Sequence, residues 1–225
     1  YFHSSTVQIL KRANRYFPLI EKILKDEGMP DDMKYLCVIE SALKQVTSPT
    51  GAKGFWQFMP ATAEEYGMTI NREIDERLDV EISTRAACAY MRRANKKFDD
   101  WIMASASYNC GVGGLSSKVQ AQVVSDFFDL HLNNETSRYV FRIMALKLLL
   151  ENPENYGFYP NKMELYEPYE VNYITVDRSI ANLANWAVEK GANLHLLKVL
   201  NPWLVGSSLT VVGSRTYQIA LPKTE

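Results

Sequence analysis

Four short stretches of the chain carry residue types able to do chemistry. The first is Glu40-Ser41, a carboxylate near the end of a helix whose other face is apolar. A polar loop follows, with Thr47, Ser48, Pro49, Thr50 and Gly51 as turn residues, and it leads into Gly54-Phe55-Trp56-Gln57. The third is Ser107-Tyr108-Asn109-Cys110-Gly111, and the fourth is Glu135-Thr136-Ser137-Arg138-Tyr139-Val140. A carboxyl group surrounded by apolar and aromatic groups has its pKa raised by desolvation and stays protonated near neutral pH, ready to act as an acid. Phe55, Trp56 and Tyr108 are the rings that could surround Glu40 in this way. In isolation, Glu40 reads more readily as an exposed carboxylate at a helix end, mildly disfavoured by the helix dipole.

Positioning these groups falls to a helical framework. Ser4, Ser5 and Thr6 offer caps for a helix carrying Val7, Leu10, Phe17, Ile20 and Leu24, which Pro18 interrupts and Gly28 ends. Pro30 with Asp31 and Asp32 starts a second helix, running to about Ser41. Pro60 opens a short helix that Gly67 closes. Ser83 or Thr84 caps a helix through Ala86, Ala87, Tyr90 and Met91. Asp99 and Asp100 precede an apolar helix from Trp101 to Tyr108, another helix follows Gly113-Gly114, and a last one spans Glu135 to Leu150. Past Asn152 the pattern changes. Pro153, Gly157, Pro160 and Pro168 mark a connection. Strand-forming Tyr169 to Val176, helical Ser179 to Lys190 and Asn193 to Asn201 split by Gly191, and a closing strand from Thr216 to Leu221 then make a separate β-α-α-β module.

Composition sets outer limits. The 225 residues are 47% hydrophobic and 23% charged, which is ordinary for a globular chain. Lys plus Arg number 25 against 26 for Asp plus Glu, so the balance makes no case for nucleic-acid binding. No apolar run approaches the roughly 18 residues that cross a bilayer, and Lys147 interrupts the greasy stretch from Ile143 to Leu150. Tyr1 in place of Met reads as a trimmed or processed product, leaving export of a precursor open. Cys37, Cys88 and Cys110 form no Cys-x-x-Cys pair and read as free, mostly buried thiols. With only 3 His besides, no zinc site is expected.

Taken in series, these stretches resemble the soluble lytic transglycosylase catalytic domain, a branch of the lysozyme superfamily. The resemblance is closest to the membrane-bound lytic transglycosylase D type. It rests on Glu40-Ser41, on Gly51-Ala52-Lys53-Gly54-Phe55-Trp56-Gln57-Phe58-Met59-Pro60, on Asp75-Glu76-Arg77 followed by Ser83-Thr84, on Ser107-Tyr108-Asn109, and on Glu135-Thr136-x-x-Tyr139-Val140. It covers roughly residues 20 to 150, and consistency across several motifs in one order outweighs any one of them. Ser179 to Ala184, Asn193 to Pro202 and Tyr217 to Pro222 are similar to a LysM-type module, a class that binds N-acetylglucosamine chains. Its Gly-Asp-Thr-Leu turn is replaced here by Val176-Asp177-Arg178-Ser179, so this copy is degenerate.

The resemblance implies a mainly α fold: a lysozyme-like (goose-type) helical catalytic domain over residues 1–151, a connection over 152–168 and a small α+β module over 169–225. It implies cleavage of the β-1,4 bond between N-acetylmuramic acid and N-acetylglucosamine by a single Glu, here Glu40, acting as acid and then as base. The sugar's own C6 hydroxyl closes a 1,6-anhydro ring, and neither metal nor organic cofactor takes part. Ser48, Gln57, Tyr108, Asn109, Tyr139, Phe55 and Trp56 correspond to substrate-contacting positions, with alternatives as turn former, loop brace or core. Ser41 and Glu135 support the site; Glu135 is also the candidate helper carboxylate or a helix N-terminal acid. Asp75, Glu76 and Arg77 read better as a structural salt bridge than as substrate contacts, and His195 reads as a helix-face residue. The implied partner is peptidoglycan glycan strands, and the implied location is the periplasm or cell envelope, with a lipid anchor possible on a precursor. A goose-type lysozyme that uses water, or a wall-binding protein without activity, are the competing readings.

Overall fold

The computed structural model describes residues 3–161 and 164–223. The chain is mainly helical with one small sheet. Helix α1 (His3–Asp26) buries Ile20, Ile23 and Leu24, the one-turn spacing of a single helix face. It is already running at His3, so Ser4, Ser5 and Thr6 lie inside it and do not cap it, and Pro18 sits within an unbroken helix. Gly28, at φ +65°, turns the chain as expected.

A 3-10 turn at Asp31–Met33 feeds α2 (Lys34–Ser41). This short helix is central, because Tyr35, Leu36, Cys37 and Val38 are all buried. It stops where Ala42 and Leu43 take left-handed backbone, at φ 52° and 56°. A looped segment then leads to α3 (Pro60–Glu65) and a second loop to α4 (Val80–Phe98). Asp79 caps α4 by accepting the Ile82 N–H at 2.8 Å. The expected caps Ser83 and Thr84 instead lie buried in the first turns and donate back to the carbonyls of Asp79 and Val80.

Asp100 caps α5 (Trp101–Cys110). Gly111, at φ +78°, breaks the chain between α5 and α6 (Val112–Gln122), so α6 begins about one turn earlier than the sequence pattern implied and Gly113 and Gly114 lie within it. Asn133 caps α7 (Asn134–Glu151), accepting the Thr136 N–H at 2.8 Å. Helix α7 packs against α2 and α5, and α4 packs against α1 and α5. That arrangement brings the ends of α2, α5 and α7 together around one core.

The C-terminal unit pairs β1 (Val171–Val176) antiparallel with β2 (Tyr217–Pro222), from Val171 opposite Pro222 to Val176 opposite Tyr217. Between them lie α8 (Leu183–Glu189), capped by Asn182, and α9 (Leu194–Leu200), capped by Asn193. Buried Asn201 ties α9 to β2: its amide donates to Ala220 O at 2.7 Å and its carbonyl accepts the Ala220 N–H at 2.8 Å. This unit does not keep a core to itself. Ile74, from the loop before α4, is buried among Leu183, Leu197, Leu204 and Leu209. The chain entering the unit lies on α1, where Arg15 donates to Glu167 O at 2.8 Å and to the Tyr169 hydroxyl at 2.8 Å.

Candidate active site

Glu40 stands in the last turn of α2, half-buried, one residue before buried Ser41. The burial of α2 on its apolar side leaves Glu40 facing α7. There Tyr139, 1% exposed, donates its hydroxyl to Glu40 Oε1 at 2.6 Å. Burial raises the Glu40 pKa above the usual carboxylate value, opposed by the Tyr139 hydrogen bond and by the Arg142 cation and reinforced by the Glu135 anion. Burial and the Glu40 charge hold the Tyr139 phenol well above its ordinary pKa, so it stays a donor throughout the neutral range. With Oε1 occupied by Tyr139, a proton carried by Glu40 belongs on Oε2.

Tyr108, near the end of α5, donates to Trp56 O at 2.9 Å and packs edge-on against Tyr90, with ring centroids 5.0 Å apart. Its phenol is also raised well above normal, by burial first and by the Glu40 charge second. The next residue, Asn109, donates to Glu135 Oε1 at 3.2 Å and accepts from the buried Thr136 hydroxyl at 2.8 Å. The amide therefore bolts the C-terminal end of α5 to the first turn of α7. Glu135 itself is exposed. Ser41 donates to Cys37 O at 3.0 Å and stays within its own helix.

The loop from Thr47 to Phe58 is folded on itself. The Ser48 hydroxyl accepts the Ala52 N–H at 2.9 Å and shares a 2.9 Å hydrogen bond with Thr50, which makes Ser48 the organiser of a turn. Gln57, with φ 49°, donates its amide to Gly54 O at 2.7 Å and Val46 O at 3.1 Å. Phe55 and Trp56 are each 1% exposed. Trp56 donates its indole N–H to Thr84 Oγ1 at 2.9 Å, and Phe55 meets Tyr16 edge-on. Both rings lie in the core beneath the loop and offer no face for a sugar, because the chain needs their volume there to support Gly54 and Gln57.

Asp75 and Arg77 form a buried pair at 2.8 Å behind the same loop, the structural role their spacing implied. Cys37 and Cys88 are buried free thiols and Cys110 is half-buried; burial raises the pKa of all three, so none is a ready thiolate. His195 is exposed on α9. In the C-terminal unit, the stretch that departs from the LysM turn lines a surface pocket of about 510 Å³, with Asp177, Asn182, Trp186 and Glu189 on its walls.

Arg142 escaped the sequence reading, and Thr136 entered it only as part of a motif, without a role of its own. Each stands three residues from Tyr139 on α7, and that spacing puts side chains on one face of a helix. A search one turn either side of Tyr139 finds both.

The arrangement is one protonatable carboxyl, one fixed donor and an adjacent polar loop, which suits proton transfer to a leaving oxygen. The chain is also similar to known proteins. Residues 17–127 match the family described as Transglycosylase SLT domain, and residues 172–225 match the Soluble lytic transglycosylase C-terminal LysM-like domain. The chain is 32% identical over 229 residues to membrane-bound lytic murein transglycosylase D of Escherichia coli (strain K12), covering 99% of this chain and 49% of that protein. It is 33% identical over 115 residues to membrane-bound lytic murein transglycosylase F of Desulfosudis oleivorans, covering 47% of this chain and 24% of that one. The chain thus spans about half the length, or less, of these curated relatives. The 70 kDa soluble lytic transglycosylase of Escherichia coli shares the fold, with a TM-score of 0.51 at 23% identity over 68% of this chain and 27% of that one. The chain therefore carries a transglycosylase SLT domain followed by a LysM-like domain of the soluble lytic transglycosylase C-terminal type, and it is similar to lytic murein transglycosylase D along its whole length.

Proposed function

We propose that the chain is a peptidoglycan lytic transglycosylase with Glu40 as its single acid and base. The observation that carries this reading is the half-buried Glu40, raised in pKa and held by Tyr139 at 2.6 Å. Protonated Glu40 gives its Oε2 proton to the glycosidic oxygen as the C1–O4 bond of the muramic sugar breaks. The carboxylate left behind supports the positive charge at C1, then takes the proton of the C6 hydroxyl as O6 bonds to C1. One proton is lent and returned, and no water is consumed. The product is a 1,6-anhydromuramic end.

In this reading Tyr139 aims the carboxyl, and Tyr108 and Asn109 shape the wall against the N-acetyl group. Ser48 and Gln57 present the loop edge to the glycan, over Phe55 and Trp56, with Ser41 and Glu135 in support. Residues 1–151 form the catalytic domain, 152–168 the connection and 169–225 the LysM-like module. Substrate and location follow from the same reading: peptidoglycan strands, in the periplasm or cell envelope. Among the described residues no helix is long and apolar enough to cross a membrane.

Mass spectrometry of products from purified peptidoglycan, with wild type beside Glu40→Gln, tests the proposal. Anhydromuropeptides from wild type alone are expected. Products heavier by one water, about 18 mass units, would make the enzyme a lysozyme on the same scaffold. No products from either protein would leave a wall-binding function.

A further inference from the structure

The loop before α4 is gripped from both sides. Toward the C-terminal unit, Asp75 N–H donates to Trp203 O at 2.9 Å, Gly206 N–H donates to Glu73 O at 2.8 Å, and Ile74 pairs with Leu204. The Glu73 carboxylate accepts from the Ser208 hydroxyl and, at 2.7 Å, from the Thr210 N–H. Arg215 donates to Thr69 Oγ1 at 2.7 Å and pairs with buried Glu76. This seam adds backbone bonds and a shared core to its side-chain contacts, and so holds more firmly than an exposed ion pair alone.

Toward the catalytic domain, the Asp75 carboxylate takes two hydrogen bonds from the Arg77 guanidinium, at 2.9 and 2.8 Å, and one from Lys53 at 3.0 Å. Arg77 reaches on to Gly51 O at 2.9 Å and Phe58 O at 3.2 Å. Gln45 donates to Leu78 O at 2.8 Å. Gly54 lies so close that a Cβ there would stand 2.0 Å from Arg77 O. Asp75 is therefore shared. Its N–H is held by the C-terminal unit, and its carboxylate holds the arginine that fixes the loop bearing Ser48 and Gln57.

We propose that the C-terminal unit braces the substrate loop, with Asp75 and Arg77 as positioning residues that carry its hold to residues 47–58. This rests on the reading that the loop contacts glycan. A unit that only tethered the enzyme to the wall would need no seam of this kind. The loop is built from turns and opens easily without its anchors. Holding it ordered lowers the entropy lost when substrate binds. The seam touches neither Glu40 nor Tyr139, so its loss raises KM and leaves the proton chemistry in place.

The test is Gly206→Ala in the full chain. A Cβ there would meet Glu73 Cα at 2.8 Å and Arg72 O at 3.1 Å, which prises the seam apart. Amide hydrogen exchange is measured together with KM and kcat on purified peptidoglycan, and Arg215→Ala serves as a milder second variant. Exchange over residues 47–58 is expected to quicken on the order of tenfold or more, with α5 and α7 unchanged. KM rises several-fold, while kcat and its pH profile stay at wild type. Faster exchange confined to residues 69–78 and the C-terminal unit, with the loop and KM at wild type, overturns the proposal. If Gly206→Ala loosens the whole chain, the same readouts on Arg215→Ala decide. A wild type inactive on peptidoglycan would end the lytic reading, while the exchange pattern would still decide whether the unit braces the loop.

Discussion

Tyr139 donates its hydroxyl to Glu40 Oε1 at 2.6 Å across 99 residues of chain, joining α7 to the end of α2. This bond does two things at once. It fixes which carboxyl oxygen is free, and it stabilises the ionised form against the burial that opposes it.

Replacing Tyr139 with Phe removes both effects. With the donor gone, Glu40 rises further in pKa, so the basic limb of the kcat/KM profile moves to higher pH. The freed carboxyl also loses its aim, and kcat falls by roughly tenfold to a hundredfold. A pH–rate profile beside wild type checks both. A basic limb that moves to lower pH would show that Tyr139 does not act by donating to Glu40.

Charges flanking Glu40 pull in opposite directions, since Glu135 raises its pKa and Arg142 lowers it. Glu135→Gln should move the basic limb down in pH, and Arg142→Gln should move it up. Both charges are exposed, so both effects shrink as salt rises. Profiles at low and high ionic strength make the comparison. Shifts of the same sign would exclude simple charge effects.

Stability should carry the same signature. The folded-state pKa of Glu40 lies above that of the unfolded chain, so the native state binds more protons and loses stability as pH rises between the two values. Glu40→Gln escapes this cost. Its melting temperature should match wild type near pH 4 and exceed it by a few degrees at pH 8, on the scale of roughly 2–4 °C per kcal/mol. Asp79, half-buried and raised to about 6, adds a similar fall that is complete just above that pH. Asp79→Asn retains a capping side chain and should remove this part of the slope.

Gly54→Ala is expected to abolish activity. The residue has φ +81°, and a Cβ would collide with Arg77 O at 2.0 Å, so the loop cannot keep its place. Calorimetry should show destabilisation of more than about 1 kcal/mol, with Glu40 and Tyr139 unaltered in sequence.

Asn201→Ala leaves both backbone groups of Ala220 without their buried partner. A loss of about 2–4 kcal/mol follows from two unsatisfied polar groups. Urea unfolding measures it. A loss under about 0.5 kcal/mol would mean that water or neighbouring groups replace the amide.

The sequence made the helices legible wherever a cap and a one-face apolar pattern coincide. Asp100 before Trp101 and Asn193 before Leu194 are such places. Boundaries failed where the side chain read as a cap had other work. Ser83 and Thr84 resemble caps, yet Thr84 is buried to receive the Trp56 indole, and Asp79 caps α4 in their stead. Polar residues in the motifs could be gathered by their order along the chain, but their partners could not. That Asn109 clamps Glu135 and Thr136 depends on how α5 and α7 cross, and that Phe55 and Trp56 point inward depends on how the loop meets α1 and α4; both are properties of tertiary packing and not of local pattern.

Ile74 has a consequence for the life of the chain before it is an enzyme. It is synthesised well ahead of Leu183, Leu197 and Leu209, yet it completes the core that they form. The C-terminal unit therefore finishes folding on a template already laid down by the first part of the chain, a long-range and slow closing step. The two parts share buried surface, so they should melt in a single transition. Cutting the chain after α7 would not yield a smaller, tidier enzyme. It would leave a greasy side chain and an acidic loop newly facing water, the surface most prone to make truncated copies stick together.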